Sequence, residues 1–129
     1  MKRILVTGGT GKLARAMARL LSRDVEFIYL KGRGSSDLPY WNMATGEVEV
    51  EGPFDTILHL AAANPSGDQD YTKTAEVTLA ALTLAKHHNI QQVIATSSQA
   101  VYGPNNGKPA HEDQELKPTS PYGRSKLLM

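Results

Sequence analysis

The sequence predicts an α/β fold built on a doubly wound parallel sheet, and three observations carry that expectation. An apolar run at residues 2–7 passes through a glycine-rich turn directly into a helical stretch. Further short apolar runs at 25–30, 56–60 and 93–96 alternate with stretches of helical spacing at 11–22 and 71–89. Such alternation makes the strands parallel, with helices on both faces, because each crossover returns the chain to the same end of the sheet.

Taken in order, the first strand is centred on Ile4-Leu5-Val6, and Gly8, Gly9 and Gly11 follow it. Ala, Arg, Met and Leu dominate 11–22 and favour a helix. Residues 25–30 form a second strand, and 31–39 a polar loop containing glycine. Tyr40 and Trp41 are expected to pack over that loop or cover the sheet. Glu and Val alternate strictly over 47–51, as in a half-exposed or edge strand, until Gly52-Pro53 breaks it. Residues 56–60 read as a buried strand in which His59 is a satisfied core residue. The helix at 71–89 carries Ala75, Leu79, Leu82, Ala85 and Lys86 at helical offsets. After the strand at 93–96, residues 103–120 form a loop long enough to suggest a functional or mobile segment. Pro121 suits the first turn of a final helix.

Composition narrows the function classes. With 129 residues and 40% hydrophobic content the chain can bury one core. A net charge of +1 offers no bulk attraction to nucleic acid or membrane. There is no cysteine, hence no disulfide or thiol chemistry. The apolar run behind Lys2 and Arg3 is too short for a signal peptide or a span, so the cytoplasm is the expected location.

Four motifs point to chemistry. At the glycine turn, Gly8 and Gly11 remove side chains where backbone must approach a pyrophosphate, and the helix start offers free N–H groups and a favourable dipole. Ala14 is small enough for close packing of helix on strand. Strand 93–96 runs into hydroxyls at Thr96, Ser97 and Ser98, at the end of a parallel sheet where ligands gather. Tyr122 and Lys126, four apart on a helix, share one face. A cation ~4 Å away is worth roughly 4 kcal/mol at an effective dielectric near 20, which favours the ionised form of a phenol and makes such a pair a proton acceptor and donor. Finally, Lys31 and Arg33 stand where an NAD binder carries an acidic residue, so the cofactor leans towards NADP. His87-His88 diverge around their helix with no third ligand placed to join them, so no metal site is expected and a favourable helix-end charge explains them.

Taken together, Thr7-Gly8-x-x-Gly11-x-x-Ala14, His59-Leu60-Ala61-Ala62, Ser97-Ser98-x-x-Val101-Tyr102-Gly103 and Pro118-x-x-Pro121-Tyr122-x-x-x-Lys126 resemble the extended short-chain dehydrogenase/reductases, the nucleotide-sugar epimerases and dehydratases. The resemblance covers essentially the whole chain and implies a Rossmann-like NAD(P)-binding domain over 1–129. It implies catalytic roles for Ser98, Tyr122 and Lys126, with Lys126 also on the nicotinamide ribose. It implies cofactor contacts at Gly8, Thr10, Gly11, Lys12, Leu13, Lys31, Arg33, Asp37, Leu38, Leu60, Ala61, Ala62, Tyr122 and Lys126. Asp37-Leu38 resembles a pair near the adenine, and His111-Glu112-Asp113 belongs to a loop that relatives place beside the substrate. The asparagine that many relatives carry in the helix after the Leu-Ala-Ala turn is missing from 72–78.

The implied activity is that of an NAD(P)-dependent oxidoreductase of epimerase, dehydratase or reductase type, acting on a hydroxyl or carbonyl of a nucleotide-sugar-like molecule. Such enzymes are about twice this length, a two-part architecture. The chain is therefore expected to be truncated after the Tyr-x-x-x-Lys segment and to lack a substrate domain. The alternative is a non-catalytic dinucleotide-binding module or an inactive remnant. The helix at 71–89 is a further expectation, as a surface for a homo-oligomer.

Overall fold

The computed structural model describes residues 1–20, 24–32, 34, 36–62 and 73–129. Four parallel strands, β1 (Lys2–Thr7), β2 (Val25–Tyr29), β3 (Thr56–His59) and β4 (Gln92–Ala95), form one sheet in the order β2-β1-β3-β4. Leu5 lies beside Ile28 on one side and Ile57 on the other, and Thr7 lies beside His59. The chain steps from β1 outward to β2, then crosses back to pair β3 with β1. That reversal is the switch point of a doubly wound sheet, and it opens a crevice at the carboxyl ends of β1 and β3. The described helices are α1 (Lys12–Leu20), α2 (Lys73–His87) and α3 (Pro121–Leu127), with a 3-10 turn at Gln99–Val101.

Two compact units are present, one of residues 1–61 and 77–95, the other of 62–76 and 96–129. The first holds the core: Leu5, Ile28, Leu30, Trp41, Phe54 and Ile57 cluster with Ala80, Leu84, Ala85 and Ile90. Trp41 is fully enclosed, as a cover for the sheet requires. Arg3 fastens the loop before β3, with Nε donating to Glu26 (2.6 Å), Nη1 to the Glu51 carbonyl (2.7 Å), and the guanidinium lying over the Phe54 ring.

One sequence expectation changes here. The alternating segment at 47–51 is no strand of the sheet. It pairs only through an isolated antiparallel bridge between Trp41 and Val48. The Asn42 side chain accepts from the Ala44 and Thr45 N–H groups and turns the chain there. The alternation reflects Val48 and Val50 packing inward on the core while the glutamates face water. In α2 the buried face is Ala80, Ala81, Leu84 and Ala85, and Leu79 and Leu82 are 65% and 50% exposed. Small alanines let the helix approach closely, which outweighs the pull of the larger leucines.

In the second unit, polar side chains do much of what a core does in the first. Asn105 Nδ2 donates to the Lys108 and Pro109 carbonyls (2.8 and 2.9 Å), and Gln114 Oε1 accepts from the His111 N–H (3.0 Å). Gly103, at φ +71°, touches the Lys117 carbonyl so closely that no Cβ could stand there. The long loop thus has a fixed path from both ends.

Candidate active site

The glycine turn sits at the switch point, and its shape follows from missing side chains. Gly8 has φ +73°, and a Cβ there would lie 2.8 Å from the Ala61 backbone nitrogen. A Cβ on Gly9 would lie 2.8 Å from the Leu30 carbonyl oxygen. The turn is thereby wedged between the ends of β2 and β3. Its own hydrogen bonds run from Gly9 N–H to the Leu30 carbonyl and from Gly11 N–H to the Gly8 carbonyl, both 2.9 Å. The first helical bond of α1 is Arg15 N–H to the Gly11 carbonyl (3.1 Å). The N–H groups of Lys12, Leu13 and Ala14 therefore precede the ladder, and Gly11 brings no side chain to cap them. No acidic residue sits in that first turn. The arrangement fits an anionic pyrophosphate. Ala14 is buried, as close helix packing requires, and Lys12 and Leu13 are exposed.

A residue that the sequence placed in the glycine motif without a role fixes the adjacent strand end. Thr7 is fully buried, its Oγ1 lies 2.7 Å from His59 Nδ1, and it accepts from the Ala61 N–H at 3.3 Å. His59 Nε2 lies 3.2 Å from Thr78 Oγ1 on α2. This chain of polar groups holds Leu60 and Ala61 beside the turn and shows His59 to be a satisfied core residue. A threonine directly before the first glycine was the available signal.

A cleft of about 340 Å³ opens beside the turn, lined by Gly9, Thr10, Arg15, Ser36, Asp37 and Leu38. It gathers the predicted Thr10, Asp37 and Leu38 and adds Arg15 and Ser36, which the sequence reading did not single out. Lys31 is half-buried, and its Nζ donates to the Ser36 carbonyl (2.5 Å). Arg33 and residues 63–72 lie outside the described residues; of the stretch 72–78 that lacks the asparagine, only Thr72 does. Ala62 is exposed.

The second unit carries Ser98, Tyr122 and Lys126. Ser98 caps the 3-10 turn, its Oγ accepting from the Ala100 N–H at 3.2 Å, which leaves the hydroxyl hydrogen as a donor. Ser97 is exposed. Ser120 caps α3, accepting from the Gly123 N–H at 3.0 Å, and Pro121 takes the first helical position. Tyr122 and Lys126 then fall one turn apart on α3. Tyr122 is 37% exposed; Lys126 is only 6% exposed, and its Nζ donates to the Thr96 carbonyl at 3.3 Å. A buried ammonium needs such an acceptor. Gly123 explains itself by contact: a Cβ would lie 2.5 Å from the Ala100 carbonyl oxygen, so α3 rests backbone to backbone on the turn that Ser98 caps.

Of the histidine pair, His87 lies in the last turn of α2, where a helix-end charge belongs, and His88 reads differently. His88 Nε2 lies 3.0 Å from the Gly46 carbonyl oxygen, and its ring meets Phe54 edge-on at 5.2 Å. Burial, and then the neighbouring His87, push the His88 pKa down, so it serves as a neutral packing group and not as a helix-end charge. Among the described residues no group of three or more His, Asp or Glu could hold a metal ion, and no helix is long and apolar enough to cross a membrane.

UDP-glucose 4-epimerase from Corynebacterium glutamicum is 29% identical over 143 residues, covering 97% of the chain and 44% of the relative. A short-chain dehydrogenase/reductase superfamily protein from Agrobacterium tumefaciens, solved with bound NAD, superposes with a TM-score of 0.72 at 25% identity, over 98% of the chain and 42% of its own length. RMD from Pseudomonas aeruginosa, solved with NADPH, shares the fold with a TM-score of 0.74 at 23% identity, over 99% of the chain and 47% of its own. The chain thus spans less than half the length of these relatives. The fold is Rossmann-like, of the short-chain dehydrogenase/reductase kind. The model of the NAD dependent epimerase/dehydratase family matches residues 4–129, and the chain belongs to that family.

Proposed function

We propose that residues 1–129 serve as one NAD(P)-binding domain of an enzyme acting on a hydroxyl or carbonyl of a nucleotide-sugar-like substrate in the cytoplasm. The observation that carries this reading is the glycine turn at the switch point, with uncapped helical N–H groups and no acidic residue beside them. In this reading Gly8, Thr10, Gly11, Lys12 and Leu13 hold the pyrophosphate, and Asp37 and Leu38 flank the adenosine. Leu60, Ala61 and Ala62 line the dinucleotide further along. Lys31 and Arg33 incline the site to NADP. A bound nicotinamide supplies hydride transfer to or from carbon. Tyr122 moves a proton at the reacting oxygen, Lys126 keeps positive charge beside the phenol and holds the nicotinamide ribose, and Ser98 donates its hydroxyl hydrogen to orient that oxygen. The exposed Leu79 and Leu82 of α2 support a homo-oligomer through that helix.

A second reading, a non-catalytic dinucleotide-binding module, is favoured by one observation. The turn and its cleft lie wholly within the first unit, and Ser98, Tyr122 and Lys126 within the second. Binding requires only the first. Titration of the 129-residue chain with NADH and NADPH, followed by nicotinamide fluorescence and heat, tests the shared part of both readings. Saturable binding of either cofactor is expected. Absence of binding of both at millimolar concentration would remove the site.

A further inference from the structure

The cleft beside the glycine turn holds two charged side chains of opposite sign, Arg15 and Asp37, and one hydroxyl, Ser36. The ion pairs among the described residues are Arg3 with Glu26 and Lys117 with Glu115, so Arg15 is matched by no carboxylate there. It stands one turn into α1, where its backbone closes the first helical bond, so its stem starts from a fixed point. Lys31, the other described cation near the tip of β2, already donates to the Ser36 carbonyl and fixes the loop. Ser36 Oγ is buried and lacks a partner among the described residues. A sealed, unpaired hydroxyl is an unfavourable state, and rotation towards a ligand oxygen relieves it.

Resting on the dinucleotide reading above, we propose that Arg15 recognises the 2′-phosphate of the adenosine ribose, with Ser36 as its hydroxyl partner and Lys31 as a positioning residue. A guanidinium suits this task, because its planar fork matches two phosphate oxygens and it is always charged. Asp37 opposes it: the carboxylate accepts from ribose hydroxyls and repels a phosphate. The preference for the phosphorylated cofactor is then set by a balance between α1 and the loop after β2, and not by that loop alone.

The test is equilibrium titration of the 129-residue chain and its Arg15→Gln, Ser36→Ala and Asp37→Asn variants with NADPH, NADH, adenosine 2′,5′-bisphosphate and 5′-AMP. Arg15 is exposed, so its variant keeps the fold, with circular dichroism as the check. Losing a charge-assisted contact should weaken NADPH and the bisphosphate by roughly 10- to 100-fold. NADH and 5′-AMP should change much less. Ser36→Ala should weaken the phosphorylated pair by a smaller factor, and Asp37→Asn should tighten it. Equal losses for NADH and NADPH in Arg15→Gln, or a wild-type chain that prefers NADH, would overturn the assignment while leaving the dinucleotide site intact. Failure of the wild type to bind any of the four ligands would overturn the site and the assignment together.

Discussion

The glycine-turn unit and the unit carrying Tyr122 hold their functional backbone in place by different means. In the first, the turn is wedged between strand ends by backbone contacts, and behind it stand fully buried Leu5, Val6, Leu30, Trp41 and Ile57. In the second, Val101 is the one buried apolar side chain among the described residues, and position is set by the Ser98 and Ser120 caps, the Lys126 bond to Thr96, and contact of Gly123 with Ala100. Segments with few buried apolar contacts open at lower free energy than a packed core. The proposed binding residues on the first unit should therefore tolerate changes that displace Ser98, Tyr122 and Lys126 on the other.

The sharpest separation of the two comes from Tyr122→Phe. If the proposed activity on a nucleotide-linked sugar holds, turnover should fall by roughly 100- to 10,000-fold, the usual worth of a positioned acid-base group. Affinity for NADPH should stay almost unchanged. Surviving turnover would mean that Tyr122 does not carry the proton and that the contrast between the units is structural only.

Gly8→Ala attacks the opposite unit. A left-handed conformation costs a non-glycine residue about 1–2 kcal/mol, and the new Cβ would lie 2.8 Å from the Ala61 nitrogen. The combined loss should reach several kcal/mol, read as a large drop in the thermal midpoint together with lost cofactor binding. A chain that keeps both would show that the turn is not wedged as described.

Ser120→Ala tests the local fastening of α3. Removing such a cap costs about 0.5–2 kcal/mol. Amide exchange in Pro121–Leu127 should quicken while exchange in β1 and β3 stays as it was. Equal acceleration in the strands would mean that the units unfold together, and the contrast drawn above would fail.

Much of this division was legible in the residues. Residues 2–7, 25–30, 56–60 and 93–96 read as strands because a short apolar run bounded by turn residues has few other uses in an alternating chain. Glu47 to Glu51 misled because burial of every second side chain needs no sheet: Val48 and Val50 reach the core from an irregular backbone. No role was read from Thr7, Arg15 or Gly123, since each meets a segment remote in sequence: Thr7 bonds His59, Arg15 lines a cleft with Ser36 and Asp37, and Gly123 rests on Ala100.

The smallest effect expected concerns His88, which belongs to the first unit alone. Burial lowers its pKa, His87 adds to the lowering, and the hydrogen bond with Gly46 opposes both. An unfolded histidine titrates near pH 6.5. Below that value the unfolded chain binds more protons than the native one, so stability rises with pH through this window. The contribution is complete above about pH 6.5 and is lost as pH falls towards the lower native value. Urea unfolding followed by Trp41, the one tryptophan of the chain and buried in the same core, should show midpoints falling from pH 7 to pH 5. His88→Gln removes the titrating ring and should flatten that slope, while the exchange rates of α3 keep their own pH dependence. An equally steep slope in the variant would show that the His88 ring is not its cause, and that burial of this ring against Phe54 carries no pH dependence of the first unit.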